Sequence, residues 1–343
     1  MPKFLTSRSI VAFICVLTAF AFPQIVHAKD FYRMATLGPG TTPYMVSTTF
    51  ATIVNKELKD QEIQVNATGK GTQHAIEAAK GQLDFFITAN IVQRLMSSGK
   101  AMYSKISTAP EMSKKLRSLF MFPAGTYHFV VYEKSGIKEM KDLKDKKVFV
   151  GPKGSAINNV VQAIIKGSTG YEAGKDYEAV ETSFDAGGAA FQDQRVDVYV
   201  NITNPPSPVI SQVSLTNEIR LLDLGDVSSN PELTKLYENR PGRFIATIAA
   251  DAYGENQVNT SEVQTLGAYM GMATNEDVAE EDVYNMLKIF WTGLDEMKSK
   301  SPWLSAISLD SVFASANMPL HPGAVKYYQE VGLEIPAELL PAN

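Results

Sequence analysis

The sequence contains almost no cysteine and little histidine, and this scarcity excludes several kinds of chemistry. Cys15 is the only cysteine among 343 residues, and it lies in an N-terminal apolar segment that we expect to be removed. Without it, the chain has no thiol for catalysis or for a disulfide. The sequence has no H-E-x-x-H motif, cysteine–histidine cluster or G-x-S-x-G elbow. We therefore expect no catalytic residues, no metal and no cofactor.

The chain also lacks a basic tract. Lysine and arginine together number 32 against 37 acidic residues, which gives a formal net charge of −5. An acidic chain argues against nucleic acid as a partner, because phosphate backbones attract concentrated positive charge. A small anion is not excluded, since a buried site needs only a few local donors.

Residues 1–28 predict an export signal. Lys3 and Arg8 precede an uncharged stretch at 10–22, which is shorter than the ~20 apolar residues of a spanning helix. A small-x-small sequence, typical of a signal-peptide cleavage site, ends at Ala28. We expect cleavage after Ala28 and a periplasmic location. Retention of the segment as a membrane anchor is the alternative.

Short strand-like runs alternate with helical patterns along the chain. Residues 31–37, 63–65 and 147–150 have strand character, and each run leads into a glycine-rich turn and a helical segment. This alternation predicts an α/β fold with a mainly parallel sheet covered by helices. Residues 280–300 carry apolar side chains at spacings of three and four, which predicts a long amphipathic helix.

The length exceeds the usual size of one domain, and the sequence pattern changes near residues 122 and 227. We predict a discontinuous first lobe of residues 29–121 plus 227–343, and a second lobe of residues 122–226. Two chain crossings between the lobes would form a hinge. A hinge beside a cleft is the arrangement with which proteins close around small ligands.

The glycine-rich turns are candidates for ligand binding. The first lacks the last glycine of a dinucleotide fingerprint because Pro43 stands there, and Gly71 separates Lys70 from Thr72 in the second, unlike a phosphate loop. Turns of this kind direct backbone N–H groups and hydroxyls towards one region, although Ser and Thr at helix starts also serve as N-caps. The candidate ligand residues in these turns are Gly40, Thr41, Thr42, Lys70, Gly71, Thr72, Lys153, Gly154 and Ser155.

Five further residues are candidates because they follow the same strand exits or could form walls of the cleft. His74 falls in the first turn of the helix after the second glycine turn, and Asn90 and Asn201 follow or end predicted strands. Tyr44 and Tyr253 could form aromatic walls of the cleft. Each of these also has a structural interpretation, since buried histidines and tyrosines are common in cores.

Four segments resemble the TAXI-type solute receptors of tripartite ATP-independent periplasmic (TRAP) transporters. Residues 318–333 (MPLHPGAVKYYQEVGL) resemble the signature P-L-H-P-G-A-x-x-Y-Y-x-E-x-G of that family. Residues 151–155 resemble its G-x-x-G-S loop, 204–208 its proline turn and, more weakly, 40–44 its G-G-T-Y-Y segment. The resemblance extends in order over essentially the whole predicted mature chain.

The chain departs from the family pattern at positions that typically line the pocket. Gly71 and His74 replace a serine and an asparagine, Pro43 replaces a tyrosine, and residues 88–90 replace a V-Q-S-D segment. The family is associated with glutamate, glutamine and related dicarboxylates. The presence of Lys70 and His74 would suit an anionic ligand.

The resemblance implies a type II periplasmic-binding-protein-like fold, in which two α/β lobes joined by a hinge enclose a ligand cleft. It also implies a receptor, not an enzyme, that captures a small carboxylate-bearing metabolite and delivers it to integral-membrane TRAP subunits. The receptor of an ATP-driven importer is the first alternative. A ligand-sensing partner of a membrane sensor and a carboxylate-dependent periplasmic hydrolase are the others.

Overall fold

The computed structural model describes residues 30–238, 240 and 242–341, so the predicted export signal lies outside the described residues. The strands of this part are β1 (Asp30–Ala35), β2 (Gln61–Asn66), β3 (Phe85–Thr88), β4 (Leu116–Tyr132), β5 (Lys147–Phe149), β6 (Glu178–Val180), β7 (Val198–Thr203), β8 (Ile219–Leu221), β9 (Arg243–Ile248) and β10 (Val263–Asn275).

Each strand from β1 to β8 except β4 leads into an α-helix. They are α1 (Thr42–Glu57), α2 (Gly71–Ala79), α3 (Asn90–Ser97), α4 (Ala109–Ser113), α5 (Ala156–Thr169), α6 (Phe184–Gln192), α7 (Pro208–Ser214), α8 (Pro231–Thr234), α9 (Glu280–Lys298) and α10 (Pro322–Glu330). None of the described helices combines the length and apolar character that a membrane span requires.

All ten strands belong to one mixed sheet. Its order is β2-β1-β3-β10-β4-β7-β5-β6, with β8 beside the end of β4 and β9 beside β10. The strands β1, β2 and β3 are parallel and form what we call the first wing; β5, β6 and β7 are parallel and form the second wing. The long strands β4 and β10 are antiparallel to their neighbours and join the wings. The predicted α/β class is thus confirmed, but the prediction of a mainly parallel sheet is wrong, because β4 and β10 run antiparallel to every strand that they pair with.

The strand β10 meets two different strands along the same edge. Its first part, from Val263 to Ala268, pairs with β9, and its last part, from Gly271 to Thr274, pairs with β3. The other edge of β10 is occupied by β4. Because β9 and β3 both run antiparallel to β10, the start of β9 and the end of β3 come together beside its middle.

The strand β4 passes closely over β7 at a glycine. Gly125 has a φ of +111°, and a Cβ added there would lie 2.0 Å from the carbonyl carbon of Thr203. Glycine is the residue that adopts such a conformation without steric cost, and it alone leaves space for the neighbouring backbone. The transition of β4 from the first to the second wing therefore depends on this residue.

The predicted helix at 280–300 is confirmed as α9, which packs on the first wing together with α1. Phe120 of β4 stacks on Phe290 of α9 with ring centroids 5.4 Å apart, and Phe50 of α1 lies 5.1 Å from Phe290. All three rings are buried. Aromatic groups of this size dominate the apolar area that a core removes from water.

The C-terminal segment that carries the family resemblance anchors α10 on α9. The Nδ1 atom of His321 accepts a hydrogen bond from the N–H of Gly323 and caps α10, while its Nε2 donates to the carbonyl of Val278. A Cβ on Gly323 would lie 2.2 Å from the carbonyl oxygen of Glu280. The histidine and glycine of this segment therefore serve helix capping and close packing.

We expect Phe120→Ala to lower the free energy of unfolding by about 3–5 kcal/mol, because it removes a fully buried ring and leaves a cavity. Urea unfolding followed by circular dichroism measures the change. Leu215→Ala is the control, since Leu215 is 77% exposed and should change stability by less than about 0.5 kcal/mol. Equal effects of the two substitutions would contradict this assignment of the core.

Candidate ligand-binding site

A cavity lies where the start of β9 and the end of β3 meet beside β10, and we call it the central cavity. Its volume is about 70 Å³, against roughly 10–15 Å³ for one water molecule on the same measure. Both wings contribute to it, through the turns after β2, β3 and β5 and through the start of α6. The cavity therefore has room for a small molecule enclosed between the wings.

The walls of the central cavity are mainly apolar. Its apolar side chains come from both wings and from β10, and include Leu37, Ile91, Val92, Ile157, Val160, Phe184, Ile202 and Met270. Tyr127 and Tyr269 add aromatic surface. None of the described lining residues is an aspartate or a glutamate. Charge interactions in such surroundings are stronger than in water, because few polar groups screen them.

Arg243 places a positive charge in this wall. It is the first residue of β9, and its Nη1 donates to the carbonyl of Leu236 at 2.8 Å. Burial lowers the pKa of the guanidinium, and the nearby charges of Arg240 and Arg94 lower it further, although arginine remains charged in proteins. In the described part of the chain no carboxylate forms an ion pair with Arg243. A half-buried cation without a counter-charge favours an anion beside it.

Asn90 lies next to Arg243 with both polar atoms of its side chain unpartnered. It is 5% exposed, and neither Oδ1 nor Nδ2 has a hydrogen-bond partner among the described residues. A Cβ on Gly242 would lie 2.8 Å from Asn90 Oδ1, so the close approach of the two segments needs this glycine. The hydroxyl of Thr88, two residues earlier, is also buried and unpartnered. Such groups usually have partners because an unmade buried hydrogen bond costs about 1–3 kcal/mol.

Lys70 extends from the first wing towards the second. Its Nζ lies 3.5 Å from the position that a Cβ on Gly154 would take. The described residues include no carboxylate in an ion pair with Lys70. Ser155, on the same turn as Gly154, caps α5 through a 3.1 Å hydrogen bond from the N–H of Asn158 to its Oγ. The two turns therefore face each other across the cavity.

The structure brings together part of the predicted site. Lys70, Gly71, Thr72, Asn90 and Ser155 line the central cavity. The remaining predicted residues do not line it: Gly40, Thr41, Thr42, Tyr44, His74, Lys153, Gly154, Asn201 and Tyr253. Their positions explain what most of them do in the fold.

The first glycine turn packs between the wings. Thr41 caps α1 by accepting a 3.3 Å hydrogen bond from the N–H of Tyr44. Asn201 of β7 donates from Nδ2 to the carbonyl of Gly40 at 2.9 Å, and the hydroxyl of Thr42 accepts from the N–H of Asn204 at 3.1 Å. This turn thus ties the first wing to the second.

Lys153 and His74 make other contacts. Lys153 is exposed and lies 3.5 Å from a carboxylate oxygen of Glu181. The ring of His74 is buried, and its Nε2 donates to the carbonyl of Thr68 at 2.7 Å. Burial lowers the pKa of His74, which favours the neutral ring. His74 thereby fixes the turn that carries Lys70.

Tyr253 belongs to a buried hydrogen-bond chain on the other face of β4. Its hydroxyl accepts from the N–H of Ser207 at 3.2 Å and donates to Nε2 of His128 at 2.8 Å. Nδ1 of His128 donates to the carbonyl of Thr126 at 2.9 Å. Burial lowers the pKa of His128 to about 4, so this histidine is neutral near pH 7.

We expect the free energy of unfolding to fall as the pH is lowered from about 6.5 to about 4. The folded-state pKa is about 4 for His128 and for His321, and the unfolded-state value is about 6.5, so the unfolded chain binds more protons in this window. Each histidine should account for a loss on the order of 3 kcal/mol.

Urea unfolding at several pH values measures this dependence. The His321→Asn variant, which keeps a capping side chain, should show a smaller decrease than the unsubstituted protein. A free energy of unfolding that stayed constant across this pH range would be incompatible with neutral buried histidines.

Sequence reasoning missed Arg243, Tyr127, Tyr269 and Phe184. For Arg243 a signal was present, since it is the only charged residue of the β-rich run Arg243–Ile248 and follows a glycine. Tyr127 and Tyr269 are aromatic residues of long strands and Phe184 starts α6, and nothing in their sequence neighbourhoods distinguishes a cavity wall from a core.

The fold is similar to that of periplasmic binding proteins. A structure described as a periplasmic transporter is 15% identical with a TM-score of 0.51, covering 91% of this chain and 94% of that chain. The aliphatic sulphonate binding protein SsuA from Escherichia coli is 16% identical (TM-score 0.43, 88% and 90% covered). A TRAP solute binding protein from Ralstonia eutropha H16, with bound (S)-2-acetolactate, is 12% identical (TM-score 0.45, 88% and 91% covered).

The chain therefore has a mixed α/β fold that matches periplasmic binding proteins, and the predicted fold class is confirmed. The model of the NMT1-like family matches residues 34–332. The chain belongs to the NMT1-like family.

Proposed function

We propose that this protein is a periplasmic receptor that captures a small carboxylate-bearing metabolite in the central cavity and delivers it to integral-membrane transporter subunits. The observation that carries the proposal is the charge of Arg243, which faces an apolar cavity and has no counter-charge among the described residues. A ligand carboxylate supplies the missing charge. It also accepts paired hydrogen bonds from a guanidinium, which are stronger and more directional than those from neutral donors.

The polar groups around Arg243 complete the binding mode. The ligand carboxylate lies on the guanidinium and accepts a hydrogen bond from Nδ2 of Asn90. Thr88 also lines the cavity, and its hydroxyl, which has no described partner, donates a second hydrogen bond. The body of the ligand contacts the apolar walls. Lys70 lies on the turn that faces the second wing, where its charge attracts the anion and its position helps to enclose it.

Ligand binding is coupled to the arrangement of the wings. The wings act as two lobes, and β4 and β10 are the two connections between them. The sequence pattern predicts that the chain returns from the second lobe to the first at residue 227. Because β9 pairs with the first part of β10, we instead place this second chain crossing near Ala268. The crossing in β4 lies near Gly125. The hydrogen bond between Asn201 and Gly40 stabilises the closed arrangement.

The membrane partner is a TRAP transporter of the TAXI type. The support is the resemblance of residues 318–333 and of the two loops at 151–155 and 204–208 to that receptor family. Residues 1–28 act as the export signal. Uptake of the bound carboxylate by vesicles that carry the membrane subunits, with and without this protein, tests the delivery step.

We expect Arg243→Gln to weaken carboxylate binding by about 10- to 150-fold, which corresponds to the loss of a hydrogen-bonded charge worth about 1.5–3 kcal/mol. Isothermal titration with a panel of four- to six-carbon carboxylates measures the affinities. Arg195→Gln is the matched control, because Arg195 is exposed and its one ion pair among the described residues is with Asp193. Silence of the unsubstituted protein across the whole panel, or equal binding by both variants, would overturn the proposal.

We also expect an ammonium group on the ligand to weaken binding. Since no described lining residue is acidic, an ammonium would lose water without gaining a counter-charge. Valerate should therefore bind at least about 10-fold more tightly than norvaline, its 2-amino analogue, and glutarate more tightly than glutamate. The same titrations measure both pairs, and tighter binding of the amino acids would rule out this account of specificity.

A further inference from the structure

A second, smaller hollow adjoins the central cavity. It is lined by Asn90, Ile91, Arg94, Arg240, Arg243 and Asn317, and we call it the arginine chamber. Its volume is about 20 Å³, which suits one small group of a ligand, since a water molecule needs roughly 10–15 Å³. Asn90, Ile91 and Arg243 line both spaces, so a molecule in the central cavity can reach the chamber.

The chamber concentrates positive charge. Arg94 lies in the last turn of α3, and Arg240, in the segment before β9, donates from Nε to the carbonyl of Lys235 at 2.7 Å. Neither arginine forms an ion pair within the described ranges 30–238, 240 and 242–341. Both arginines also line a neighbouring, more open hollow together with Lys235 and Glu238, which we call the outer rim of the chamber. No ion pair joins Glu238 to either arginine. Three guanidinium groups thus share one small space, and none of them forms an ion pair with a carboxylate of the described residues.

The amides in the chamber are ready to hold a polar group. Nδ2 of Asn317 donates to the backbone carbonyl of Asn90 at 2.9 Å, which fixes the Asn90 segment. The Asn90 side chain is more than nine-tenths buried and lacks any described partner, as shown above. A cluster of cations beside an unpartnered buried amide is an environment that favours an oxyanion.

Arg243 can serve both spaces at once. A guanidinium has five N–H donors in a planar fork, and the carbonyl of Leu236 takes only one Nη1 contact. The remaining donors can be divided between an anion in the central cavity and one in the arginine chamber. The mutual repulsion of the three arginines makes a second negative charge more favourable there than a neutral group.

We propose that the arginine chamber is a second oxyanion subsite, so that the receptor prefers ligands with two acidic groups over matched ligands with one. The proposal rests on the proposed function, because the first acidic group must occupy the central cavity. One carboxylate lies on the cavity side of Arg243, and the other contacts Arg94, Arg240 and the outer side of Arg243. Arg94 and Arg240 thereby determine specificity.

Titration of the purified protein with valerate and glutarate tests the subsite, since these acids share a five-carbon chain and differ in the second carboxylate. Glutarate should bind at least about 10-fold more tightly than valerate. Arg94→Gln and Arg240→Gln should each weaken glutarate binding by roughly 10-fold and leave valerate binding within about threefold. Unchanged thermal unfolding of the ligand-free variants confirms that they fold.

Lys235→Gln is the matched control, because Lys235 belongs to the outer rim and does not line the chamber. An equal loss of glutarate affinity in this variant would show that long-range attraction by surface charges, and not contact within the chamber, accounts for the glutarate preference. That outcome would overturn the proposal. An equal loss for valerate and glutarate in Arg94→Gln would do the same. If valerate binds and glutarate has no advantage, only the chamber fails; if no carboxylate binds, the proposed function fails with it.

Discussion

The register of β10 is the constraint on which the fold and the site both depend. One edge of this strand pairs with β4, and the other pairs first with β9 and then with β3. The end of β3 leads to Thr88 and Asn90, and the start of β9 carries Arg243, so this register brings residues from distant parts of the chain to one place. A slip of one residue would reverse the side-chain directions along β10 and separate these groups.

The chemistry of the site follows from the contrast between apolar walls and unbalanced positive charge. A cation that leaves water loses hydration, and the loss is compensated only by an opposite charge or by strong hydrogen bonds. Arg243 has a single backbone acceptor among the described residues, and Asn90 has none for its side chain. The glycine at 242 allows the two to approach each other.

Much of the fold could be predicted from local pattern. The β-turn-α alternation, the amphipathic α9 and the glycine turns depend on residues that are only a few positions apart in the sequence. The candidate site was predictable only in part. Lys70, Thr72 and Ser155 were found because they occupy strand-to-helix turns, and these turns face the cavity. Thr41 and Thr42 have the same local pattern, yet they cap α1 and tie the wings together.

By itself, the sequence determined the class of fold, the order of its elements and the absence of thiol chemistry from the predicted mature chain, because periodicity, turn residues and composition are local or global properties of a linear chain. Only the tertiary structure decided that His321 caps a helix, that His74 fixes a turn and that Arg243 meets Asn90 in an apolar wall. For Arg243 and Asn90 the physical reason is that their meeting depends on strand pairing between segments more than a hundred residues apart, and no local pattern encodes that register. For the two histidines, the packing of the surrounding fold decides whether the ring bonds its own turn or faces a cavity.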